Sequence, residues 1–216
     1  NGLSGYRVRF FVDDIPMEYL GDAYQINNLP INLVDRIDVY KGVVPVDLGG
    51  DALGGAVNII TTQSSKSYAD ASFSYGSFNT QHLAINTQYR DQKSGFTVRP
   101  KFFYNFSNNN YTMRDMKIYV DRKWDTLNIE RFHDDYFSVA STIETGFTFT
   151  DWADELLIGV SASQIKQDIQ TDFAGNPKGE TVSEEQSQIY SLKYKKYGLL
   201  NEKLDFSAFG VYSTIN

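Results

Sequence analysis

Two histidines and no cysteine in 216 residues leave little material for catalysis or metal binding. His133 stands beside Asp134 and Asp135, a grouping that could ligate a metal or set a carboxylate against an imidazole. Adjacent residues of an extended strand point to opposite faces, however, and His82 is isolated from them, so no ligand set forms. The glycines of 49–55 are reminiscent of a phosphate loop. Gly49 and Gly54 have its spacing, but Gly55 stands where that loop needs its lysine. Without a thiol or a histidine pair, a catalytic dyad would rest on carboxylates or serine alone, and no spacing selects such a pair. The expectation is a non-enzyme with no catalytic residue, no metal site and no cofactor.

The elements that carry the remaining side chains are more informative. Aromatic residues make up 15% of the chain, with fifteen Tyr, fifteen Phe and only two Trp. Mean hydropathy is negative and no apolar run reaches the roughly 18 residues of a membrane helix, which excludes a helical membrane protein. A soluble β-rich protein or a membrane barrel remains, because a barrel alternates its lipid face with polar residues and looks hydrophilic on average. The formal charge of −7 argues against nucleic acid as a partner. Absence of cysteine fits an oxidising compartment. The opening residues, Asn1-Gly2-Leu3-Ser4-Gly5, show no signal peptide, so the chain is read as a fragment.

Composition changes near residue 62. Before it, glycine and β-branched residues suit a small α+β unit: a strand over 6–12, a turn at Asp13-Asp14-Ile15-Pro16, a short helix near 31–35, and strands over 36–40 and 58–61. Residues 63–67 make a polar linker. From 68 to 216, seven segments alternate apolar and polar residues with a period of two. Phe102, Ile143 and Ile158 belong to one face, Arg99, Lys101, Glu144, Lys193 and Asp205 to the other. Several segments exceed the roughly 9 to 11 residues that cross a bilayer when tilted. Tight connections at 91–94, 151–154 and 198–201 alternate with long ones at 107–130 and 169–183, as periplasmic turns alternate with external loops. A sandwich core would have to be dry, whereas those charges need water or partners. Pro100 should mark a bulge.

The run Val34-Asp35-Arg36-Ile37-Asp38-Val39-Tyr40-Lys41-Gly42, followed by Gly49-Gly50-Asp51-Ala52-Leu53-Gly54-Gly55-Ala56-Val57-Asn58-Ile59-Ile60-Thr61-Thr62, resembles the C-terminal plug signature of TonB-dependent outer-membrane receptors. Arg36, Gly42, Gly49, Gly54, Gly55 and Asn58 carry that signature. The resemblance implies a mainly β fold: about seven strands of a transmembrane antiparallel barrel of about 22, preceded by part of an α+β plug. It implies the outer membrane of a Gram-negative bacterium and its lipid, the TonB energy-transducing complex as a partner whose contact segment lies outside this chain, and import of a scarce extracellular ligand. The plug ending differs from that of the glycan importers that pair with a surface lipoprotein, which favours a ferric siderophore or cobalamin. A passive or adhesive barrel and a TonB-dependent glycan importer are the alternatives.

By the same resemblance, Tyr19, Asp22, Tyr24 and Gln25 in the apical plug loop become candidate ligand contacts. Tyr111, Arg114, Arg122, Lys123 and Trp124 of the long external loop offer cations and aromatic faces suited to an anionic ferric chelate. Arg36 could pair with Glu144 of the wall as a breakable gate, or simply with Asp13, Asp38 or water.

Overall fold

A computed structural model describes residues 8–45, 48, 54–61, 64–120, 122–171 and 177–216. Strands β1 (Val8–Val12), β2 (Ile15–Pro16), β3 (Val34–Tyr40) and β4 (Gly55–Thr61) form a small sheet in the order β2-β1-β4-β3, with β1 parallel to β4 and the other pairs antiparallel. The expected short helix is a 3₁₀ turn, Ile31–Leu33. At Gly55, φ is +132° and an added Cβ would lie 2.5 Å from the Tyr40 carbonyl oxygen, so the contact between β4 and the end of β3 demands glycine. The signature residues Gly49 to Leu53 lie outside the described residues.

The second sheet is an antiparallel wall ordered β13-β12-β11-β10-β7-β6-β5. Its strands are β5 (Tyr68–Gly76), β6 (Thr80–Arg90), β7 (Phe96–Ser107), β10 (Tyr136–Thr148), β11 (Glu155–Thr171), β12 (Pro177–Gly198) and β13 (Leu204–Ile215). All seven expected strands are present, and in the five inner strands the two faces separate as the alternation requires, whereas the edge strands β5 and β13 are exposed on both. Ile143 is 53% exposed and Ile158 58%, while Ala84, Phe103, Ala140 and Ile189 of the opposite face are buried against Val12, Ile15, Leu20, Tyr24 and Leu33 of the small sheet and its loop. The apolar exterior is open and the interior is occupied. No helix among the described residues is long and apolar enough to cross a membrane, which says nothing against strands doing so.

Three expectations need correction. The stretch 107–130 is not an irregular loop: β8 (Thr112–Val120) and β9 (Lys123–Glu130) pair as a separate hairpin. The stretch 169–183 mostly continues β11 and β12, which run for 17 and 22 residues and so project well past the roughly 9 to 11 needed for the bilayer. Pro100 makes no bulge. It pairs with Ile143 in an unshifted register, and on the β6 side the ladder merely lapses between Asn86↔Lys101 and Tyr89↔Val98, where the Thr87 hydroxyl donates to the Pro100 carbonyl at 3.2 Å. The hydroxyl serves the Pro100 carbonyl; the N–H that proline lacks is not replaced, and the ladder lapses there without a bulge.

Placing a charge on the exterior tests the assignment of faces. Ile158→Arg should destabilise the complete protein in lipid by about 2–4 kcal/mol, read from urea unfolding in vesicles. An unchanged midpoint would mean that this face does not meet hydrocarbon.

Candidate functional site

The strongest concentration of chemistry lies where the small sheet meets the wall. Asp13 and Asp14 are the two central residues of the turn joining Val12 to Ile15, with φ of 48° and 70°. Such a two-residue hairpin requires positive φ at both positions, which aspartate tolerates better than most residues but not freely. Side-chain bonds compensate. The Asp13 carboxylate accepts the Thr61 N–H at 2.8 Å and its hydroxyl at 2.6 Å. Asn58, a signature residue, donates to the Asp14 carboxylate at 2.7 Å and accepts the Asp14 N–H at 3.2 Å.

The wall presents Lys101 from β7, Glu144 from β10 and Lys193 from β12 to this turn. Each lysine Nζ lies 3.2 Å from a Glu144 oxygen and 3.9 Å from Asp13 Oδ2. Lys101 also donates to the Thr61 hydroxyl at 3.0 Å. Next to this cluster, Lys195 Nζ reaches Asp14 Oδ2 at 2.5 Å. Asp13, Glu144 and Lys193 are all buried. Burial drives the Asp13 carboxyl up, but Lys193 and Lys101 pull it further down, so it stays below the ordinary aspartate range and ionised. A cavity of about 60 Å³ borders the cluster, lined on one side by Val12 and Leu33 and on the other by Thr142, Ser161 and Ser191.

Toward the long-loop end, the contacts are neutral or singly charged. Gly21 has φ of +79°, and a Cβ there would lie 2.8 Å from Glu185 Oε1, so only glycine lets this loop approach β12. The Asp22 N–H then donates to Glu185 at 2.7 Å. Asn28 donates to the Asp22 carbonyl at 3.0 Å, and accepts the Tyr136 hydroxyl at 2.6 Å and, through its carbonyl, the Asn105 amide at 3.2 Å. The loop therefore bridges β12, β10 and β7.

The sequence-derived candidates distribute unevenly over this framework. Tyr19, Asp22 and Gln25 are exposed, with Gln25 donating to Asp22 at 2.6 Å. Tyr24 is buried instead: its ring meets Phe103 edge-on at 5.6 Å and its hydroxyl pairs with Thr142 at 2.6 Å. Burial pushes its phenol above the usual tyrosine range. On the hairpin, Trp124 packs at a tilt against Tyr119, ring centroids 5.1 Å apart, beside the tip residues Arg122 and Lys123, all exposed, and Arg114 is exposed on β8. Tyr111 sits at the hairpin base, where its hydroxyl accepts from Arg131 at 2.8 Å and its ring lies under that guanidinium. Gly42 takes positive φ, and Gly54 leads into β4. Arg36 does not reach Glu144. It lies exposed on edge strand β3 and pairs with Asp38 at 3.2 Å, while Glu144 is held by the two lysines. His133 contacts Asp168 at 3.5 Å and the Thr181 carbonyl at 3.0 Å, which ties the 131–135 segment to β11 and β12. Sequence reasoning missed Asp13 as a wall contact of Lys101 and Lys193, and Asp14 with Lys195. The signal available was a paired acidic turn facing a strand set whose inner face carries lysines.

Comparison with known proteins fits this arrangement. Residues 1–56 match the family model for the TonB-dependent Receptor Plug Domain. A 66-residue stretch is 32% identical to the vitamin B12 transporter BtuB of Vibrio vulnificus, covering 31% of this chain and 11% of that protein. Among solved structures, the chain is similar to the siderophore receptor PiuA of Acinetobacter baumannii (TM-score 0.59, 14% identity, 96% of this chain and 29% of that one). It is also similar to the ferric-catecholate import receptor Fiu of E. coli K12 (TM-score 0.60, 13% identity, 98% of this chain and 32% of that one). The chain thus spans about a third or less of the length of the proteins it matches, and its likeness to the solved structures is one of fold.

Removing one member of the buried cluster leaves the others uncompensated. Asp13→Ala should weaken docking of the small sheet by about 3–5 kcal/mol, read as faster hydrogen exchange over residues 8–16 in the complete protein. Because the Asp13 carboxyl titrates lower when docked than when free, its contribution is complete above about pH 4 and disappears as pH falls through the docked value. Exchange in this segment that ignores both the substitution and acid would rule the cluster out as an anchor.

Proposed function

We propose that this chain, which belongs to the TonB-dependent receptor family, is the plug and adjoining barrel wall of an outer-membrane transporter in a Gram-negative bacterium. The intact receptor binds a scarce extracellular ligand, a ferric siderophore or cobalamin, and releases it to the periplasm when the TonB complex acts on the plug. The observation that carries this reading is the acidic turn of the plug, held inside the wall by the buried Asp13 beside Lys101 and Lys193 and by a half-buried ion pair from Asp14 to Lys195. Such pairs are strong while water is excluded and cheap to exchange once it enters, which suits a plug that must stay shut and yet yield. The relatives named as a vitamin B12 transporter and as siderophore receptors support this choice of ligand classes.

Tyr19, Asp22 and Gln25 form the ligand-facing side of the plug, with Tyr24 as the buried post beneath them. Arg122, Lys123 and Trp124 at the hairpin tip, with Arg114 on its flank, supply cationic and aromatic contacts for an anionic chelate. Tyr111 holds the base of that hairpin on Arg131.

Titration of the complete receptor with ferric catecholate, ferric hydroxamate and cobalamin probes checks the proposal. One class should bind, and Asp22→Ala with Gln25→Ala should weaken it by about tenfold, the worth of one or two hydrogen bonds. Absence of binding to all three, together with unchanged growth of a deletion strain on iron chelates and cobalamin, would remove the transport reading for these ligands.

A further inference from the structure

The segment that joins plug to wall, expected as a polar linker, is fastened along its described length. Gln88 Nε2 donates to the carbonyls of Ser64 and Lys66 at 2.7 and 2.8 Å. Gln92 Nε2 and Arg90 Nη1 both donate to the Ser65 carbonyl, at 2.9 and 3.3 Å. The Ser67 hydroxyl accepts the Arg90 N–H at 2.9 Å and donates to the Arg90 carbonyl at 3.3 Å. Gln88, Arg90 and Gln92, at the end of β6 and just past it, therefore satisfy the backbone carbonyls of three consecutive residues, and the Ser67 side chain in turn binds the Arg90 backbone.

The fastening side chains are themselves fixed from behind. Arg90 is buried, and its guanidinium donates to the Thr148 carbonyl at 2.9 Å and the Phe149 carbonyl at 3.3 Å, with the Phe149 ring 5.4 Å away. Its hydrogen-bond partners among the described residues are oxygens of Thr148, Phe149, Ser65 and the Gln92 side chain, at 3.1 Å, and no carboxylate, so this cation is spent mostly on holding backbone. Gln88 is buried too, and its Oε1 accepts from Arg99 Nε at 2.7 Å; Arg99 in turn pairs with Glu155 at 3.3 Å. That bond fixes which end of the Gln88 amide faces the linker carbonyls.

We infer that residues 64–67 are a rigid anchor rather than a tether, with Arg90 and Gln88 as its positioning residues, so that any movement of the plug is taken up on the N-terminal side of Ser64. A fan of this kind is costly to open, because two of its donors, Gln88 and the charged Arg90, are buried and would be left without these acceptors. The ion pairs at Asp13 and Asp14 belong to a different set of side chains, and their loss leaves the anchor's bonds in place.

Lys66 provides a built-in test, since it is exposed and trypsin cleaves after lysine only where the chain can loosen. In the complete receptor, cleavage after Lys66 should be slower than at the exposed hairpin tip, Arg122 and Lys123. Arg90→Ala and Gln88→Ala should each speed it by about tenfold or more, with Arg90→Lys intermediate. Should Arg90→Ala fail to fold, the Gln88→Ala result decides. In the double variant Asp13→Asn, Asp14→Asn, cleavage should rise at Arg9, Arg36 and Lys41 while Lys66 stays protected. Cleavage after Lys66 in the unaltered receptor as fast as at the hairpin tip would overturn the inference, as would indifference to Gln88→Ala or cutting that rises together with the plug sites. None of these readouts depends on transport, so a failed ligand assignment leaves the test intact.

Discussion

A strand that shows hydrocarbon on one side must keep its charged side chains on the other, and in this wall the plug fills that other side. Water is therefore not free to solvate what points inward. Lys101 and Lys193 share Glu144, which leaves one positive charge over. Asp13 cancels it, and Asp14 does the same for Lys195. The plug that excludes water from these lysines therefore also has to supply their counter-charge, which Asp13 and Asp14 do.

Buried ion pairs are weak evidence for stability, since desolvation offsets much of their attraction. Their clearer consequence here is register. Apolar contacts such as those of Val12, Ile15 and Leu20 against Ala84, Phe103 and Ala140 tolerate sliding, whereas the two aspartates fit only where three lysines from two non-adjacent strands converge. The strained turn sharpens this choice. Holding two consecutive aspartates at positive φ is worthwhile only if Asn58 and Thr61 satisfy them from the plug side and the lysines from the wall side.

Much of this was legible in the residues alone, for a physical reason. Period-two alternation exposes both the strand and its faces, so the sequence alone places Ile143 and Ile158 outward and Lys101 and Glu144 inward. The hairpin of 112–130 was hidden because both its faces meet solvent and no burial contrast marks a period. Tyr24 looked like a loop residue, since nothing in the sequence tells a tyrosine that reaches a ligand from one that reaches Thr142. Of the partners open to Arg36, Asp38 is the one it takes, because edge strand β3 carries it away from the lysines that claim Glu144. By alternation Gln88 and Arg90 belong only to the polar inward face of β6; their role depends on the return of residues 64–67 along that strand, which only the fold reveals.

The layout of the plug sheet limits how it can respond to a pull on the chain upstream of Val8. β1 and β4 are parallel neighbours paired from Val8↔Gly55 to Val12↔Ile59. A load entering at the start of β1 and leaving at the end of β4, toward the fastened residues 64–67, stretches that ladder in shear and divides the force over all five pairs. β2 is joined to β1 by two pairs only, and the Asp13-Asp14 turn lies at the far end of β1. Side contacts to the wall can exchange partners one at a time as water enters, whereas the sheared ladder must break together. Under such a load the plug parts from the lysines of the wall before its own sheet opens, and the fastened segment defines the point about which it turns.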